Sequence, residues 1–103
     1  PNKALFFDLD EFVVNLSTTG KQTSFLKLKV TLEIPSYKDK PKVEENTPRI
    51  RDAFQIYLRE LRPSDLQGSA GMHRLREELL LRINKIIHPA HVDDILFKEI
   101  IVQ

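Results

Sequence analysis

The residues best suited to chemistry lie near the start of the chain, where an apolar run, FFDLDEFVV (residues 6–14), carries Asp8 and Asp10 two positions apart. Alternate residues of an extended segment point to one side, so both carboxylates could face one substrate. One would attack a phosphate ester as nucleophile while the other served as general acid, the division of labour that covalent phosphoryl transfer requires. Ser17, Lys27 and the Asp93–Asp94 pair follow in the order in which such an enzyme supplies a hydroxyl, a cation and acids for Mg²⁺. A second cluster, His88, His91, Asp93 and Asp94, puts four potential metal ligands within seven residues.

Both clusters have plainer readings. A haloacid-dehalogenase-like phosphatase is built on a parallel sheet with a helix after each strand, whereas the residues after Asp10 read as a strand entering a hairpin. Phe12 is also bulky where that pattern carries a small Thr or Val. Asp8, Asp10 and Glu11 are then solvated groups at the wet start of a strand, whose charge keeps neighbouring edges away. Pro89 divides the two histidines, and His88 is favourable at the negative end of a helix dipole. His73 has no evident partner. With no Gly-rich phosphate loop and no Ser-His-Asp or Cys-His arrangement, no catalytic residue, metal or cofactor is assigned.

The elements that would position these groups follow from periodicity. Phe12, Val14 and Leu16 alternate with Val13 and Asn15 before Ser17-Thr18-Thr19-Gly20-Lys21, predicting strand one over about 8–17 and then a turn. Leu26, Leu28, Val30, Leu32 and Ile34 alternate with Lys27, Lys29, Thr31 and Glu33, predicting strand two with one wet face and an antiparallel hairpin with strand one. From about Asp39 the spacing changes to 3 and 4: Val43, Thr47, Ile50, Phe54, Tyr57, Leu58 and Leu61 share one helical face. Pro48 either kinks this helix or stands at the first position of a second one capped by Thr47, and the single kinked helix is preferred.

Arg62-Pro63 stops the helix, Ser64 to Gln67 has capping-box spacing for a short turn, and Ser69 is placed to cap a last helix. That helix turns Met72, Leu75, Leu79, Ile83 and Ile86 or Ile87 inward, and Pro89 ends it. Val92 to Val102 is a third strand. The expectation is one α+β two-layer domain over residues 1–103, with a small three-stranded sheet in ββααβ order and two main helices on one face.

Composition limits the partners. Sixteen Lys and Arg balance fifteen Asp and Glu, so no global field draws in nucleic acid or an anionic membrane. The absence of Cys removes disulfides and thiolate chemistry, and no apolar run approaches the ~20 residues of a membrane span. Seven arginines (Arg49, Arg51, Arg59, Arg62, Arg74, Arg76 and Arg82) crowd the helical segments, most near an acid, as Glu45 stands to Arg49 and Glu78 to Arg82. A salt-bridged wet surface accounts for most of them.

FVVNL (12–16), FLKLKVTLE (25–33), PRIRDAFQIYLRELRPSDLQGSAG (48–71), LREELLLRIN (75–84) and DDILFKEIIVQ (93–103) together resemble the periplasmic domain of the flagellar basal-body-associated FliL family. The resemblance implies a fold similar to stomatin-like SPFH modules and no enzymatic duty. It also implies an upstream membrane anchor, a periplasmic location in a single-pass inner-membrane protein, and assembly into rings. Implied partners are flagellar stator units, with their peptidoglycan-binding and ion-channel subunits, and the base of the rotor. The role is then a scaffold supporting torque, motility or swarming. Alternatives are the phosphatase and a general SPFH-type membrane scaffold. No matching motif assigns contact residues; charge on rigid elements points to Arg49, Asp52, Arg59 and Glu60 on the first helix, and to Lys27 and Lys29 on strand two.

Overall fold

A computed structural model describes residues 4–103. Its sheet is built around one long central strand, β3 (Phe25–Ile34), whose even-numbered residues Leu26, Leu28, Val30, Leu32 and Ile34 are all buried. Such strict alternation commits one face to the core and leaves the other wet. β4 (Asp94–Val102) pairs antiparallel with one edge of β3. The opposite edge is covered by β1 (Leu5–Asp8), paired with residues 31–34, and β2 (Phe12–Asn15), paired with residues 25–28, both antiparallel.

The fold is α+β as expected, with four strands in place of three. The first strand expected over 8–17 is divided, because Leu9, Asp10 and Glu11 leave the ladder between β1 and β2, and β1 starts upstream of the predicted boundary. Leu9 turns its side chain inward and donates its N–H to Val30 O at 3.2 Å, so the divided strand remains attached across the gap.

The helices cover one face. The preferred single kinked helix is instead two, α1 (Lys40–Glu45) and α2 (Thr47–Glu60), separated at Asn46. Pro48 supplies no N–H for the carbonyl of Glu44, so the first ladder cannot continue. Side chains at the break bond back to the first helix: Asn46 Nδ2 donates to Lys42 O at 2.8 Å and Thr47 Oγ1 to Val43 O at 3.0 Å. A 3₁₀ turn (Pro63–Leu66) follows, in which Asp65 Oδ2 accepts the Arg62 N–H at 2.8 Å. The capping contact therefore starts at Arg62, not at Ser64.

α3 (Gly68–Ile87) begins one residue before the predicted Ser69 cap, with Gln67 preceding it and making no side-chain cap. Gly71 lets the 3₁₀ turn sit directly on this helix, since a Cβ there would stand 2.8 Å from Asp65 O. Ile50, Phe54 and Leu58 of α2 and Leu75, Leu79, Ile83 and Ile87 of α3 close the core against β3. At the far end of α3, the Asn84 amide clasps Val92, accepting its N–H at 2.7 Å and donating to its carbonyl at 3.0 Å, and so aims the chain into β4.

Candidate functional site

The carboxylates that open the chain do not assemble a reaction centre. Asp8 lies on the open face of the sheet and accepts a 2.5 Å hydrogen bond from Thr31 Oγ1, the one buried polar side chain among the described residues. Asp10 stands in the gap between β1 and β2, where its main-chain carbonyl rather than its carboxylate is engaged. The segment is antiparallel to β3 on both sides of the gap, so the parallel setting that the phosphatase reading requires is not the one observed.

The His/Asp cluster also separates. His91 Nε2 lies 3.0 Å from Asp93 Oδ1, whereas Asp94 Oδ1 accepts the Ile95 N–H at 2.8 Å and faces Arg76 Nε at 3.8 Å. His88 caps the exposed end of α3. Among the described residues no three His, Asp or Glu side chains converge as metal ligands do.

The six residues proposed as contacts fall on two surfaces. Arg49, Asp52, Arg59 and Glu60 are all exposed on α2, turned away from Ile50, Phe54 and Leu58, and none is in an ion pair among the described residues. Lys27 and Lys29 project from the other side of the molecule, the open face of β3, because they alternate with its buried residues. One partner of ordinary size cannot grip both surfaces without wrapping the domain. Lys27 is shared between Glu11 at 3.6 Å and Glu99 at 3.7 Å, while Lys29, in register with Glu99, has no ion-pair partner among the described residues.

The open face is not uniformly polar. Phe6, Val13 and Phe25 are among its residues and are 61 %, 58 % and 47 % exposed, interleaved with the charged side chains. Exposed apolar groups scattered among charges are ordinary for a wet sheet face, so they do not outweigh the α2 surface.

The arginines behave differently from the salt-bridged surface expected of them. Glu78 and Arg82 do pair along α3, but Glu45 pairs with Lys42 at 3.3 Å rather than with Arg49. Three other contacts were invisible to sequence spacing: the guanidinium of Arg51 stacks on the Phe12 ring at 4.1 Å, that of Arg76 on Phe97 at 5.3 Å, and that of Arg82 on Tyr57 at 4.2 Å. No periodic signal links these pairs, because each joins separate elements. Burial, with the nearby Glu78 carboxylate adding to it, raises the Tyr57 hydroxyl above its ordinary pKa. Tyr57 borders a cleft of about 180 Å³ between α2, the 3₁₀ turn and α3, and two wider depressions of about 370 Å³ flank the loop between β2 and β3. What the described residues present is charge on rigid elements, suited to contact with another macromolecule.

Comparison with known proteins points the same way. Residues 6–103 match the family model of flagellar basal body-associated protein FliL. The chain is 43 % identical over 103 residues to the "Flagellar FliL protein" of two strains of Caulobacter vibrioides, covering 100 % of this chain and 50 % of each relative. It is 28 % identical over 104 residues to the "Flagellar protein FliL" of Aquifex aeolicus, covering 64 % of that protein. The chain thus spans half to about two thirds of the length of these curated relatives. No helix among its described residues is long and apolar enough to cross a membrane.

Proposed function

Because the chain belongs to the FliL family of flagellar basal body-associated proteins, we propose that it is a non-catalytic scaffold module of the flagellar motor that binds stator units and supports torque, motility or swarming. The observation carrying this reading is the family match across residues 6–103, which takes in the whole fold but the first residue of β1. In the whole protein, a single inner-membrane helix would hold this module in the periplasm, where copies assemble into rings around the stator and above the rotor base. Rigid helices bearing exposed charges that have no ion-pair partner among the described residues support the binding role.

The module acts by differential affinity. If it binds the extended, ion-conducting stator conformer tenfold better than the closed one, it shifts their ratio tenfold, about 1.4 kcal/mol. Arg49, Asp52, Arg59 and Glu60 form the first contact surface under this proposal, and Lys27 with Lys29 the second. Replacing Arg49 and Arg59 together by Glu, in the full-length protein, tests the first surface. Co-purification with the peptidoglycan-binding stator subunit is expected to fall at least fivefold, and the swim diameter in soft agar to shrink, with the circular dichroism unchanged. Intact pull-down and motility would dismiss the α2 surface. The same experiment on Lys27→Glu with Lys29→Glu decides for or against the second.

A further inference from the structure

The way β1 is held sets it apart from the rest of the sheet. Its four residues alternate between half-buried Leu5 and Phe7 and exposed Phe6 and Asp8, so none is fully buried. β2, of equal length, sinks both Phe12 and Val14 into the core. Between the two, the carbonyls of Asp10 and Glu11 turn out of the ladder and are gripped by one side chain from α2: Arg51 donates from Nη1 to Asp10 O at 2.5 Å and from Nη2 to Glu11 O at 3.0 Å. The same guanidinium lies over Phe12, whose ring packs against Phe54 of α2 with centroids 5.8 Å apart. A planar fork meeting two successive carbonyls while stacked on a buried aromatic is a geometry that Arg supplies and Lys does not.

The opposite edge yields at the same level. The β3–β4 register shifts between Lys29 and Val30, the residues that face the gap between β1 and β2. Both neighbours of β3 are therefore irregular at one point along its length, dividing the sheet into a half built on residues 25–28 and a half built on residues 31–34.

We propose that residues 5–11 form a strap that opens as a unit while the rest of the domain stays folded, and that Arg51 is its latch. Opening breaks the β1 pairing, the Thr31–Asp8 hydrogen bond and both Arg51 bonds, and withdraws Leu9 from the core edge. It leaves Phe12, Val14 and the helix layer in place. The open state uncovers the edge of β3 across residues 31–34. Local openings of this kind have their own free energies, below that of global unfolding, and they depend only on the contacts they break.

Residue-resolved hydrogen exchange on the 103-residue chain tests the proposal with three variants. In the unaltered chain, the amides of Phe7, Leu9 and Leu32 should exchange faster than those of Leu79 and Ile83 in α3. Ile83→Val, a mild loosening of the core, should speed the α3 amides severalfold and leave the strap amides unchanged. Arg51→Ala should speed the strap amides at least tenfold, and Arg51→Lys, which keeps the charge but loses the fork, should resemble Arg51→Ala more than the parent and serves in its place if Arg51→Ala does not fold. Strap amides that accelerate together with α3 in Ile83→Val would show that they open only by global unfolding and would overturn the proposal. Unchanged strap amides in the Arg51 variants would overturn the latch.

Discussion

β4 lies along one edge of β3 through eight register pairs with a single bulge, whereas the other edge is covered by two four-residue strands with three residues between them. On each side an arginine of the helix layer donates to main-chain carbonyl oxygen along that edge and stacks on an aromatic ring of one of its strands. Arg76 Nε reaches Ile95 O at 3.1 Å, shares itself with Asp94, and covers the half-buried Phe97. Arg51 forks across two carbonyls and covers the fully buried Phe12. The continuous edge is carried by its own ladder, so its arginine is an accessory. The divided edge has lost main-chain bonds at the gap, and a side chain from another element replaces them.

That contrast can be broken at the rings first. Phe12→Ala should lower the unfolding free energy by about 3–5 kcal/mol, the cost of emptying a closed aromatic site. Phe97→Ala, with less area to lose, should cost only about 1–2 kcal/mol by the same denaturant titration. Equal losses would mean that both edges depend alike on the core. At the next level, Arg51→Ala should cost about 2 kcal/mol and Arg76→Ala about 1 kcal/mol, since charged donors to one or two carbonyls differ by roughly that amount. A double-mutant cycle on Arg51 and Phe12 sharpens the point, with an expected coupling of about 0.5–1 kcal/mol from the stacked pair.

Smaller effects belong to the faces rather than the edges. Lys27→Met should change stability by less than about 0.5 kcal/mol, because its links to Glu11 and Glu99 are long and solvent-screened. Tyr57 gives the weakest signal. Its hydroxyl pKa is raised above 10 in the folded state, first by burial, so the neutral form is favoured by folding. Its contribution is fully present below pH 10 and is lost as the pH rises through the folded-state pKa. Unfolding midpoints at increasing pH above 10 should therefore fall more steeply for the parent than for Tyr57→Phe.

Much of this architecture was legible in the residues. The alternation of Leu26 to Ile34 placed a half-buried strand and its wet face correctly, because side-chain direction in a strand has a fixed period. The 3–4 spacing of Ile50, Phe54 and Leu58, and of Leu75, Leu79 and Ile83, found both long helices and their buried sides. Errors gathered where a local rule had two outcomes. Pro48 forbids a bond to Glu44, which a bend and a stop satisfy equally, and the chain stops at Asn46, where the Asn46 and Thr47 side chains bond back to Lys42 and Val43. The upstream run reads as one strand over 8–17 when only Phe12, Val14 and Leu16 are followed, whereas the inward positions change phase from Leu5, Phe7 and Leu9 to Phe12, Val14 and Leu16 across Asp10 and Glu11, which is where the ladder is left. Of the six contact residues, the exposure of those on α2 followed from helical phase, while their separation from Lys27 and Lys29 by the full thickness of the domain did not.

By itself the sequence determined the periodic elements, the antiparallel hairpin, the two-layer class and the family, because each rests on spacing within one segment or on extended similarity along the chain. Only the tertiary structure decided that β3 is central, that its two edges are held so differently, and which carbonyls the arginines reach. Arg51 meets Asp10 and Glu11 from 41 and 40 positions away, and contacts at that separation are set by how layers pack.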